Sequence, residues 1–159
     1  MELYHGSNII VECPEIRPRL RALDFGAGFY ATSSRKQAEV WAKTVIKRRR
    51  KGEPILNVYN FNENYLEELN VLVFKTADES WLDFVVANRK ELIFPSPYDL
   101  IIGPVANDTT LSVIDDYMDG KYTREEAIDR LMPQRLTDQY AFLTDKALSL
   151  LHFERSENL

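Results

Sequence analysis

The chain has 159 residues, 45% of them hydrophobic and 28% charged, with a net charge of −5. That length suits one core of ordinary size, so a single domain over 1–159 is expected, and the composition excludes a disordered tail or a bilayer span. The overall acidity gives no general attraction to nucleic acid. A lone Cys13 excludes an intrachain disulfide or thiolate cluster, and two distant histidines, His5 and His152, argue against a protein-bound metal.

The opening "MELYHGSNII" lacks the basic, apolar and small-residue regions of a signal peptide, so the expected location is the cytoplasm, with no membrane partner. "ELYHGS" reads as a short first strand, followed by a loop marked by Pro14 and Pro18. "DFGAGFYATS" places two glycines before aromatic, β-prone residues, a tight turn feeding a strand. Ser33 or Ser34 can cap a helix running to about Arg50, with Ala38, Trp41, Ala42 and Val45 at helical spacing and Gly52 closing it. Its end, "KTVIKRRRKG", holds six cations in ten residues. Two readings stand for that run: a solvated terminus complementing the helix macrodipole, or a patch for nucleic acid or another acidic partner.

"PILNVYNF" and "LNVLVF" are apolar runs of strand length. "ADESWLDFVVANRKEL" predicts a helix capped by Asp78 or Ser80, with Trp81, Phe84, Val85 and Asn88 down one face. "YDLIIGPVAND" is a strand turning at Gly103-Pro104, and "TLSVIDDYM" and "TREEAIDRLM" are two helices broken at Gly120. A strand "DQYAFL", a helix "TDKALSLL" and a strand "HFERS" close the chain. Strands with inserted helices in this order predict an α+β fold with two small packed sheets.

Three stretches carry more than periodicity. "YHGS", "GFYATSSRKQAEVW" and "QYAFLTDKAL" resemble the three motifs of the diphtheria-toxin branch of ADP-ribosyltransferases, which includes the poly(ADP-ribose) polymerases. The first two match the family's residue types in the family's order. "FKTADESWLDFVVANR" and "YDLIIGPVAND" are also similar to a bacterial family of unknown function assigned to that superfamily. The resemblance implies an ADP-ribosyltransferase-like fold around an NAD cleft. It also implies transfer of ADP-ribose from NAD to a protein or nucleic-acid acceptor with release of nicotinamide. Small stand-alone members often act as toxins or defence effectors beside an antitoxin or immunity protein.

Cleaving the bond between nicotinamide and ribose develops an oxocarbenium-like sugar, so the enzyme must grip nicotinamide, hold the ribose hydroxyls and position an acceptor. The resemblance assigns the ribose contact to His5, whose neutral ring both donates and accepts. It assigns the carboxamide to the unshielded backbone of Gly6, with Ser7 adding a hydroxyl. Tyr30, introduced by Gly28 and Phe29 and followed by Thr32, offers a face to the pyridinium ring, and Trp41 stands at the second stacking position. Each has a structural alternative: His5 as a strand histidine, Gly6 as a bend, Trp41 as the core-facing anchor of its helix.

The third motif departs from the family's pattern, with Gln139 where the catalytic glutamate is expected. A neutral amide keeps a hydrogen bond to the ribose 2′-hydroxyl but loses charge, a difference of about 1–3 kcal/mol, or roughly 10- to 100-fold in rate. On that basis Gln139→Glu is expected to keep or raise activity. Asp99, Asp108 and Asp138 are the other candidate acids, although Asp108 also suits a helix cap and Asp138, adjacent to Gln139 on a strand, should face away from it. Arg89 is a surface cation or a pyrophosphate partner, and "VECPEIRPRLRAL" is an acceptor loop or a lid. A non-catalytic NAD or ADP-ribose binding module and an RNA 2′-phosphotransferase-like enzyme are the competing functions.

Overall fold

In the computed structural model, which describes residues 1–17, 23–90, 96–106, 108–134 and 136–159, seven strands and five α-helices form an α+β arrangement of two small sheets. The elements are β1 (Glu2–Ser7), β2 (Phe29–Ala31), α1 (Arg35–Arg49), β3 (Ile55–Phe61), β4 (Val71–Val73), α2 (Glu79–Arg89), β5 (Leu100–Pro104), α3 (Asp108–Met118), α4 (Arg124–Leu131), β6 (Asp138–Phe142), α5 (Asp145–Leu148) and β7 (Leu151–Asn158). Pro18, Arg19 and Arg21 of the loop considered for acceptor binding lie outside the described residues, as does the side chain of Asp108. No helix among the described residues is long and apolar enough to cross a membrane.

The first sheet has the order β1-β3-β7 and is antiparallel throughout; the second has the order β2-β6-β5-β4, with only β4 and β5 parallel. Phe29, Ala31 and Phe142 of the second sheet meet Leu3, Tyr59 and Phe61 of the first in one buried cluster. The opposite face of the second sheet, bearing Ile101 and Ala141, is covered by Trp81, Leu82 and Val85 of α2, Ile114 of α3 and Ala127 and Leu131 of α4. Alternation of side chains along the strands divides these two clusters.

The helix starts follow the expected capping chemistry. Ser34, Asp78, Thr123 and Thr144 each accept a backbone N–H three residues ahead, at α1, α2, α4 and α5. Two details differ from the sequence reading. The left-handed residue closing α1 is Arg50 (φ 51), whose N–H donates to the Ile46 carbonyl at 2.8 Å, and Gly52 lies beyond it. On α2 the buried line is Trp81, Leu82, Val85 and Asn88, with Phe84 only partly buried.

Asp99 acts as a structural acid. It accepts the Asn70 N–H at 2.8 Å and the Thr144 hydroxyl at 2.8 Å, joining the approach to β4 to the start of α5. The Asn70 bond first, then that from Thr144 and the charge of Lys146, hold its pKa below the usual aspartate value against the opposing effect of burial. Arg89 is likewise structural: its guanidinium holds Asp24 at 2.7 Å, fastening α2 to the turn before β2.

Candidate functional site

Among the described residues a backbone bridge joins the first sheet to the segment that follows β2. Tyr4 on β1 gives its N–H to the Thr32 carbonyl at 2.8 Å and accepts the Thr32 N–H at 2.9 Å. Since both polar groups of Tyr4 point to that edge, the two-residue alternation of an antiparallel strand turns the N–H and C=O of Gly6 to the same edge, just past the bridge. His5 stands between them. Gly6 therefore meets the geometric requirement for reading a carboxamide through its backbone.

His5 is half-buried and tied to β2 by a 2.7 Å contact between Nδ1 and the Tyr30 carbonyl, with its ring 4.5 Å from that of Phe29. A carbonyl can only accept, so Nδ1 carries a proton, and in the neutral form of the ring Nε2 is the acceptor nitrogen. This tautomer suits acceptance of a hydroxyl proton. Phe29 is 6% exposed and supports His5 from the core rather than presenting a surface of its own. Ser7 is buried at the end of β1, opposite Ile55.

The exit of β1 is held by a residue that the sequence reading passed over. Asn57 is fully buried in β3; its Oδ1 accepts the Val11 N–H at 2.8 Å and its Nδ2 donates to the His5 and Ile9 carbonyls at 3.3 and 3.2 Å. An asparagine inside an apolar strand run was the only available signal. Buried amides of this kind persist where their bonds are made within the fold.

Tyr30 is half-buried, and its hydroxyl donates to the Gly26 carbonyl at 2.6 Å and accepts the Phe25 N–H at 3.2 Å. These two bonds fix the ring against its own approach loop. Gly28 has a packing reason: a Cβ there would lie 2.6 Å from the Phe142 carbonyl oxygen. Trp41 is not the core-facing anchor of α1. Ala38, Ala42 and Val45 form the buried face, whereas Trp41 is 45% exposed, with the Arg48 guanidinium 5.1 Å from its ring centroid.

Thr32 is buried, and its hydroxyl joins three elements: Oγ1 donates to Asp138 at 3.2 Å and accepts the Ser34 N–H at 3.0 Å. Asp138 also accepts the N–H and hydroxyl of Ser33. It alternates with Tyr140 and Phe142, which pack into the inter-sheet cluster with Leu3 and Phe29, and so belongs to the His5 side of the strands. Gln139 belongs to the other side, that of Ala141 and Tyr30. Its side chain faces away from Asp138, as expected.

Gln139 is 7% exposed, and its Nε2 donates to the Pro104 carbonyl at 3.4 Å, an oxygen that also accepts the Trp81 indole N–H at 3.0 Å. A cleft of about 300 Å³ borders this position through Pro104, lined also by Lys75, Thr76, Ala77, Met132, Gln134 and Leu136. The surroundings reverse the expectation for Gln139→Glu. A carboxylate would oppose a carbonyl oxygen in a nearly dry place and lose the donor. The variant is expected to lose about 1–3 kcal/mol of stability, read as a lower midpoint in urea, with no gain in activity. An unchanged midpoint would show that the side chain is free to turn toward solvent.

His5, Gly6, Thr32 and the Tyr30 backbone thus meet at the junction of β1 and β2, with Phe29 packed beside His5, while the Tyr30 ring and Gln139 lie on the opposite face of the second sheet. No curated protein and no solved structure matches the chain. A family model described as "Protein of unknown function (DUF3990)" matches residues 1–153, and the chain belongs to that family.

Proposed function

We propose that the protein is an NAD-dependent ADP-ribosyltransferase with an ADP-ribosyltransferase-like fold. The observation that carries the reading is the junction past Tyr4–Thr32, where the Gly6 backbone edge lies beside the His5 ring that the Tyr30 carbonyl orients. Gly6 pairs with the nicotinamide carboxamide, Tyr30 and Trp41 face the pyridinium ring, and His5 Nε2 accepts a ribose hydroxyl. The acceptor attacks C1′ of the ribose as the bond to nicotinamide breaks. The bonding pair leaves with the ring nitrogen, which becomes neutral, and the acceptor's proton passes to solvent.

One observation favours a second reading. Gln139 is nearly buried and engaged with Pro104, and it supplies no charge to the sugar cation, which fits a module that binds NAD without turning it over. Incubation with NAD, chromatographic measurement of nicotinamide and calorimetric measurement of NAD binding separate the two. The transferase reading expects nicotinamide release that increases when cell lysate supplies an acceptor. Binding without release under both conditions establishes the module, and absence of both removes NAD from the function.

A further inference from the structure

The C-terminal end of α1 is a concentrated and unneutralised positive surface. Lys43, Lys47, Arg48, Arg49, Arg50 and Lys51 are all exposed, and no acidic residue occurs between Glu39 and Glu53. Among the described residues none of these six takes part in an ion pair, while the nearest acid on the helix, Glu39, is held by Arg35 at 2.9 Å. At 100° per residue, Lys43 and Lys47 lie opposite the buried Ala38, Ala42 and Val45, Arg48 lies on the side that carries Trp41, and Arg50 and Lys51 follow just beyond the helix end. Arg49 donates to Asn8 Oδ1 at 2.9 Å, and Arg48 lies over the Trp41 ring.

A helix terminus does not explain such a cluster. The negative end of a macrodipole amounts to about half an elementary charge and is met by one or two cations in the last turn. Here like charges stand four residues apart on the helix at Lys43 and Lys47, and Lys47 to Lys51 are five cations in succession, a repulsion that a polyanion relieves. The rest of the chain is acidic enough to leave the whole at −5, so the cations are gathered on one surface rather than spread. Cations gathered at and just beyond the end of an exposed helix can meet the phosphates of a nucleic-acid backbone, and Arg48 can share its planar guanidinium between the Trp41 ring and a phosphate oxygen.

We propose that the exposed basic face at the end of α1 is a nucleic-acid-binding surface that reads the phosphate backbone. Binding does not depend on the NAD reading. Where that reading holds, the bound strand is the candidate acceptor. Lipid headgroups and acidic proteins are the alternatives that the test must exclude.

The experiment is fluorescence anisotropy, without NAD, on labelled mixed-sequence oligonucleotides, single-stranded and duplex, between 50 and 200 mM salt. If four of the six side chains engage phosphates, the logarithmic salt slope on single strands is about −3, and affinity falls roughly 60-fold across that range. Lys43, Lys47, Arg48 and Lys51, changed together to Gln, reduce affinity by at least about 30-fold and move the slope toward about −1. Arg49 and Arg50 are retained because one bonds Asn8 and the other closes the helix. An unchanged thermal midpoint shows that the variant is folded. No binding at 50 mM salt, equal binding by the quadruple variant, or equally tight binding to phosphatidylserine vesicles or polyglutamate overturns the proposal. Nicotinamide release is measured separately, so failure of either reading is visible on its own.

Discussion

Replacing His5 by Asn is expected to leave the protein folded and to lower kcat/KM for NAD by about 100-fold, corresponding to the loss of roughly 3 kcal/mol of contact with the ribose and its developing charge. The choice of residue follows from the two ring nitrogens. Nδ1 donates to the Tyr30 carbonyl and is part of the junction between β1 and β2. An Asn amide places a donor near that nitrogen and can keep the bond, but nothing replaces Nε2. His5→Gln does the reverse: its amide reaches toward the Nε2 position and abandons Tyr30. A structural histidine predicts that Asn is tolerated and Gln is harmful to both stability and activity. A ribose-binding histidine predicts that Asn is stable and inactive, whereas Gln is less stable but retains measurable turnover. Nicotinamide release and a thermal melt on the same two variants decide between them, and an active His5→Asn protein ends the assignment of His5 to NAD.

The reading from sequence succeeded where local chemistry decides. Strands with β-branched and aromatic runs, caps at Ser34 and Asp78, and the break at Gly120 all lie within a few neighbouring residues and needed no partner to be seen. It placed Ala38, Ala42 and Val45 on the buried stripe of α1 but left open whether Trp41 joined them, because Trp41 and Ala42 are neighbours on the helix and periodicity does not say which neighbour meets the sheet. Size settled it in the direction opposite to intuition: the helix lies so close to β1 that only alanines fit between them. Asp138 with Ser33, Arg89 with Asp24 and Asn57 with Val11 are separated in sequence by 105, 65 and 46 residues, and their pairing follows from sheet order rather than from any local pattern. Gln139 was legible as a departure from the motif but not as a buried donor, since Pro104 becomes its neighbour only when β5 and β6 pair.

Gly6→Ala is expected to cost at least about 3 kcal/mol, an overpacking penalty at the upper end of the usual range. A Cβ on Gly6 would stand 2.0 Å from the Ala38 carbonyl oxygen and 2.7 Å from the Ala42 nitrogen. Both are backbone atoms of α1, so no rotamer change relieves the contact and β1 and the helix must separate. For a chain of this length, that loss lowers the thermal midpoint by roughly 6–12 °C. Two companions identify the cause. Gly120→Ala, where φ is +78 and nothing lies within 4 Å, should cost only about 1 kcal/mol from the left-handed backbone. Ala38→Gly added to Gly6→Ala should rescue nothing, because the obstructing oxygen belongs to the main chain. A midpoint within about 2 °C of the parent for Gly6→Ala, or recovery in the double variant, would mean that the helix does not seat on β1 at this distance. The glycine then serves two requirements with one absent side chain: it lets α1 close over β1, and it leaves the adjoining strand edge bare where a carboxamide could pair with it.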